Sequence, residues 1–269
     1  MNFLDAIDWQ RPWLAPLRPT GEAVIGSGDW RAAVNAHAAR IGLKNHRGLP
    51  THFVPQADLP RGMAYEAFIS ATGGVPTREN LHDFFNALVW LHFPQIKVQL
   101  NALQAAEIAK SDALPSRRGK VRDAATIFDE NAAILIVRDV SMIEALRAHA
   151  WREVFIDRRH EFGRTCEVWL FGHALMEKLV TPFKAITAHA WPVASEAYFD
   201  LPQSGKRAWI DAMAAGALAG GLATGVFTPL PVLGVPGWWG GQDEAIYADT
   251  AVFRPINNRL RADDVLPES

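Results

Sequence analysis

One cysteine, Cys166, in 269 residues leaves no partner for an intramolecular disulfide and none for the paired thiols of a redox or zinc motif. That suits a reducing compartment. A charge excess of either sign is also lacking: 27 Lys and Arg stand against 29 Asp and Glu, net −2, with no long basic block. A dominant attraction to nucleic acid is therefore not indicated. The tightest basic cluster, Arg117, Arg118 and Lys120 with Arg122 beyond, reads first as a solvated loop and second as a contact for phosphate or carboxylate. The first residues, Met1 to Trp9, carry Asp5 and Asp8 where a secretory signal needs lysine or arginine, so the expected location is cytoplasmic.

Common site signatures are missing too. Gly26-Ser27-Gly28 begins like a dinucleotide loop, but Arg31 stands where the third glycine belongs. No lysine follows a phosphate-loop glycine pattern, no G-x-S-x-G elbow exists, and His160-Glu161 lacks the second histidine of a zincin helix. Nucleotide-dependent and serine-hydrolase readings fall accordingly.

What is present is a globular composition, 49% apolar and 21% charged, with ten tryptophans suited to core and pocket walls. The expected fold is α+β: a single domain over 1–269, mainly helical, with a small sheet or hairpin and a Pro/Gly/Trp-rich C-terminal strap. Within it, 1–58 reads as a helical and loop region, 59–255 as the core, and 256–269 as a flexible tail.

The most informative run is Pro76 to Trp90. At helical spacing Glu79, His82, Asp83, Asn86 and Trp90 share one arc, while Leu81, Phe84, Phe85 and Leu88 fill the other side. Thr77 is the expected N-cap, and Pro94 separates this helix from a second one carrying Lys97 and Asn101. Next, Ala125 to Phe128 and Ala133 to Val137 predict a hairpin, with Asp129-Glu130-Asn131 as its turn. Ser141 to Glu144 has the spacing of a capping box. Cys166 to Phe171 predicts a strand, Ala174 to Val180 a helix after Gly172-His173, and Gly205 to Ala219 another helix. Ala212 to Gln242 contains no charged residue. Its three prolines argue for a strap over Thr228 to Trp239, with membrane insertion the less favoured alternative.

The helix with His82, Asp83 and Asn86, the Lys97 to Asn101 stretch, Arg122-Asp123 leading to Phe128-Asp129-Glu130-Asn131, Phe171-Gly172-His173 with Glu177-Lys178, and the tail Pro231 to Trp239 together resemble an uncharacterised bacterial family. It is similar to domain of unknown function 3025, common in proteobacteria, over roughly Leu59 to Pro255. The resemblance carries over no activity.

The residues themselves suggest where a site would lie. His82, Asp83 and His173 are the candidate catalytic groups, with Asn86, Lys97, Arg122, Asp123 and His189 for substrate. His82 and Asp83 are the candidate ligands if a divalent metal binds; no other cofactor is indicated. The favoured function is a hydrolase on a small phosphorylated or acyl substrate. The alternative is a non-catalytic binding or scaffold protein whose polar cluster is structural and whose tail docks a partner. Each polar residue also has a structural reading: Asp83 and Asn86 as caps or backbone partners, His173 as a turn cap, Asp129 and Glu130 as hairpin-turn residues.

Overall fold

The structure is a computed structural model that describes residues 2–113 and 120–256. Helices and two small sheets alternate in the order α1 (Arg18–Gly26), α2 (Trp30–Arg40), β1 (His52–Pro55), α3 (Tyr65–Thr72), β2 (Gly74–Thr77), α4 (Leu81–His92) and α5 (Pro94–Ala113). There follow α6 (Lys120–Asn131), β3 (Ala132–Val137), α7 (Ser141–Arg147), β4 (Cys166–Leu170), α8 (His173–Lys178), β5 (Thr187–Ala194), α9 (Gln203–Ala219), β6 (Thr228–Pro231) and α10 (Glu244–Tyr247). Arg117, Arg118 and residues 257–269 of the expected tail lie outside the described residues.

The larger sheet has the order β4-β3-β5-β6. Its second strand, β3, runs parallel to β5 and antiparallel to β4, so that Ile134 pairs with both Trp169 and Trp191. Every residue of β3 is buried, which explains its unbroken apolar run Ala-Ala-Ile-Leu-Ile-Val: a strand covered on both faces has no polar side to alternate with. The smaller sheet is the parallel pair β1 and β2. A contiguous apolar cluster reaches from Leu4 to Phe253.

Several local expectations are corrected. No hairpin joins Phe128 to Ala133; α6 continues through Asn131 and passes directly into β3. The apolar residues of Ala125 to Phe128 are one buried stripe of a helix, and the sheet partners of β3 come from farther along the chain. Thr77 ends β2, and Asn80 caps α4 instead. Ser141 caps nothing with its side chain; Asp139 accepts its N–H at 2.9 Å.

At the start of α5, Pro94 leaves the next backbone donors facing α9. Asp211 there accepts from Gln95 and Ile96 at 3.1 and 2.9 Å, a cap supplied from another helix. The chain from Thr228 to Trp239 adds β6 to the sheet edge and then packs Trp238 6.0 Å from Trp13. Gln242 fastens it by donating to the carbonyls of Leu233 and Val235 at 2.8 and 2.9 Å. Among the described residues, no helix is long and apolar enough to cross a membrane.

Candidate functional site

Asn80 opens α4 by accepting the Asp83 N–H at 2.8 Å. Asp83 turns back in the same first turn. Its carboxylate accepts the Arg78 backbone N–H at 2.6 Å and the guanidinium Nε and Nη2 at 2.9 and 3.0 Å. Three donors commit Asp83 to fixing the entry of the helix.

His82 faces α8 instead. Its Nδ1 lies 3.0 Å from Glu177 Oε2, and its Nε2 lies 3.1 Å from Nε2 of His173. His173 is the first residue of α8, held there because the preceding N–H groups of Phe171 and Gly172 both donate to the Ala132 carbonyl, at 3.1 and 2.8 Å. This contact seats α8 against the junction of α6 and β3. The end of α6 then delivers Glu130, whose Oε2 is 3.4 Å from His173 Nε2 and 3.8 Å from His82 Nε2.

These three atoms have the spacing of a ligand set. On an ion at the usual distance of roughly 2.1 Å, two ligands stand about 3.4 Å apart in a tetrahedron and about 3.0 Å apart along an octahedral edge. The observed 3.1, 3.4 and 3.8 Å match the tetrahedral case better. A point about 2.1 Å from all three lies roughly 0.6 Å out of their plane, close to the pyramid a four-coordinate ion makes with three of its ligands. The outer carboxylates fit this arrangement. A proton on His82 Nδ1 donates to Glu177, which leaves Nε2 unprotonated with a lone pair to offer.

Behind His173 a second carboxylate is held from within. Asp129 Oδ1 stands 3.9 Å from His173 Nδ1 and 2.6 Å from Lys97 Nζ. The buried Lys97 ammonium also donates to Asn86 Oδ1 at 2.8 Å and lies over the Trp90 ring, while Asn86 Nδ2 donates to the Tyr65 hydroxyl at 3.1 Å. Burial alone would raise the Asp129 carboxyl, but Lys97, with His173 and His82, overcomes it and holds the group below the usual carboxylate range. His173 is pushed down to about 4, chiefly by burial; Asp129 opposes this, and Lys97 and His82 add to it. Glu130 is raised, first by burial and then by its neighbour Asp129. At neutral pH His173 is thus a neutral imidazole, the form in which histidine binds a metal.

The trio opens on a cleft of about 480 Å³, completed by Gln56, Tyr65, Glu66, Arg78, Gln104 and Thr126. Of the residues singled out in the sequence, His82, Asp83, Asn86 and His173 line this cleft, and Lys97 lies beneath it. Asp83 is outside the trio because Arg78 holds its carboxylate. Arg122 and Asp123 sit in the first turn of α6, away from the cleft lining. His189 is exposed on β5, where its ring meets Phe227 edge-on at 6.2 Å, and it does not join the group. Sequence reasoning missed Glu130, Asp129 and Glu177 as site residues, and Tyr65 and Glu66 altogether. A signal for two of them was present: Arg122, Thr126, Asp129 and Glu130 recur at helical spacing, which an eye set on a hairpin passes over.

Helices and a mixed sheet gather two histidines and a glutamate at a polar cleft. The chain belongs to the family described as Protein of unknown function (DUF3025), which matches residues 51–257 and so takes in all three residues of the trio. No curated protein and no solved structure matches it.

Proposed function

We propose that this protein is a hydrolase that holds one divalent metal ion through His82 Nε2, His173 Nε2 and Glu130 Oε2 and acts in the cleft on a small phosphorylated or acyl substrate. The observation that carries the reading is the convergence of those three atoms at tetrahedral spacing. Two histidines and one carboxylate leave a fourth position for water, and an ion such as zinc there lowers the pKa of that water to about 7. Spacing nearer the tetrahedral than the octahedral value favours hydrolysis over the oxygen chemistry that an octahedral set of the same residues supports. Glu177 orients the His82 imidazole from behind, and Asp129 places a negative charge 3.9 Å from Nδ1 of His173. The same reading takes the chain as a single α+β domain working in the cytoplasm, in keeping with one contiguous core and a lone buried thiol.

Elemental analysis of protein purified from zinc-supplemented medium tests it. Wild type should carry about one equivalent of metal, His82→Ala and Glu130→Gln should lose it, and Asp83→Asn should keep it. A wild-type chain free of metal that also fails to take up zinc or cobalt on titration would sink the reading. It would favour the second one, a non-catalytic protein, which has its own support in the buried Lys97 that ties α4 to α6 through Asn86 and Asp129.

A further inference from the structure

Glu66 stands in the first turn of α3 and lines the cleft, yet none of the pairings above includes it. Asn101, in α5 and almost fully buried, grips it at two points, donating from Nδ2 to the Glu66 carbonyl at 3.0 Å and to Oε2 at 2.6 Å. One bond anchors the Glu66 backbone and the other its carboxylate. Among the described residues no hydrogen bond reaches Oε1, so one carboxyl oxygen keeps its lone pairs for whatever enters the cleft.

The other carboxyls of the neighbourhood are engaged. Asp83 belongs to Arg78, Asp129 to Lys97 and Glu177 to His82, while Glu130 is a member of the trio. The charged groups bearing on Glu66 are Lys97 from α5 and Asp129 and Arg122 from α6. Burial raises its carboxyl above the usual range, with Lys97 opposing and Asp129 adding, so it holds a proton more readily than a surface glutamate.

Resting on the metal reading above, we propose that Glu66 is the catalytic proton-transfer group of this cleft and that the substrate is a carbonyl compound, an amide or ester. In the forward step an O–H bond of water breaks, its proton passes to Glu66 Oε1, and the oxygen bonds to the carbonyl carbon. The C–N or C–O bond then breaks as the same proton moves from Glu66 to the leaving atom, which restores the carboxylate. A phosphate monoester fits less well. Arg78, the cation of the described lining, is already held by Asp83, and Lys97 beneath it by Asp129, so a dianion finds no uncommitted side-chain cation in that lining, which a neutral carbonyl does not need.

Acetohydroxamic acid is a suitable probe, since it resembles an acyl group, chelates zinc and must lose its O–H proton to do so. Titrate it calorimetrically into the zinc-loaded full chain at about pH 6, where the ion's fourth ligand is water rather than hydroxide and leaves without taking a proton, in buffers of different ionisation heat, with inorganic phosphate as the comparison ligand. Wild type should bind with little net proton release, because Glu66 takes the proton. Glu66→Gln should keep its zinc, release about one proton to the buffer and bind roughly 10- to 100-fold more weakly, whereas Glu66→Asp should recover the proton uptake. Equal proton release by wild type and Glu66→Gln overturns the proposal, and so does tighter binding of phosphate than of hydroxamate. Loss of zinc in Glu66→Gln would reassign Glu66 as a ligand and overturn it as well. A wild-type chain that takes up no zinc fails at the earlier step, and the metal reading falls with the proposal.

Discussion

Gly172 lies against Ala132 so closely that a methyl group on it would come within 2.5 Å of the Ala132 nitrogen and 2.6 Å of the Glu130 carbonyl oxygen. The clash is with backbone on the far side, at the point where α6 becomes β3, and backbone cannot swing away as a side-chain tip can. Gly172→Ala should therefore destabilise by about 1–3 kcal/mol or more. It should also push His173 away from Glu130. Urea unfolding measures the first effect and retained metal the second; an unchanged midpoint with full metal content would show that the junction has slack.

Glu177 should matter to the metal and little to the fold. It is half exposed, and its role is to face His82 Nδ1 at 3.0 Å. Glu177→Ala should weaken zinc affinity by roughly 10- to 100-fold, the usual effect of losing such an outer partner. Competition with a coloured chelator gives the affinity, and thermal melting of the metal-free protein should barely move.

Lys97 and Asp129 form an ion pair away from solvent, so removing one partner strands the other. Lys97→Met should cost about 3–5 kcal/mol by urea unfolding, and the double variant with Asp129→Asn should cost less than the two single losses together. Because the folded Asp129 carboxyl sits below its unfolded value, its contribution is present above the ordinary carboxylate range and disappears as pH falls through the folded value. Asp129→Asn should accordingly flatten the acid limb of the stability curve.

His92 supplies a pH dependence outside the site. Burial, with help from Arg207 and against the Leu88 carbonyl, pushes its imidazole down to about 4. The unfolded chain then binds a proton near 6.5 that the folded chain refuses, so stability is full above 6.5 and falls as pH drops towards 4. The loss is about 3 kcal/mol. His92→Gln, although less stable at pH 7, should show a shallower slope when unfolding midpoints are compared across the interval, the remainder coming from groups such as His173 that burial also pushes down.

How far the sequence could be read depended on whether the determining contacts were local. The polar arc of His82, Asp83 and Asn86 beside Phe84, Phe85 and Leu88 is a property of one helix, and periodicity exposes it. The strand ending before Gly172 and the helix from His173 were legible for the same reason. The stretch from Ala125 to Val137 was not. Asp129-Glu130-Asn131 has turn chemistry, and nothing local reveals that β3 pairs with β4 and β5 rather than folding back on Ala125 to Phe128. With the hairpin assumed, Glu130 becomes a turn residue and the third member of the trio disappears. Asp83 misled in the other direction: adjacent to His82 it resembles a co-ligand, yet Arg78, five residues earlier, holds its carboxylate.

His82, Glu130 and His173 come from three helices that are far apart along the chain, and only the seating of α8 on the junction of α6 and β3 brings their tips together. The unstructured polypeptide therefore offers an ion isolated side chains and no chelate. An ion held by this trio stabilises the native state by mass action, about 2.7 kcal/mol when its free concentration is a hundred times the dissociation constant. On the proposed metal reading, the lifetime of the protein would follow the metal supply of its surroundings, and starvation for the ion would deplete the chain itself.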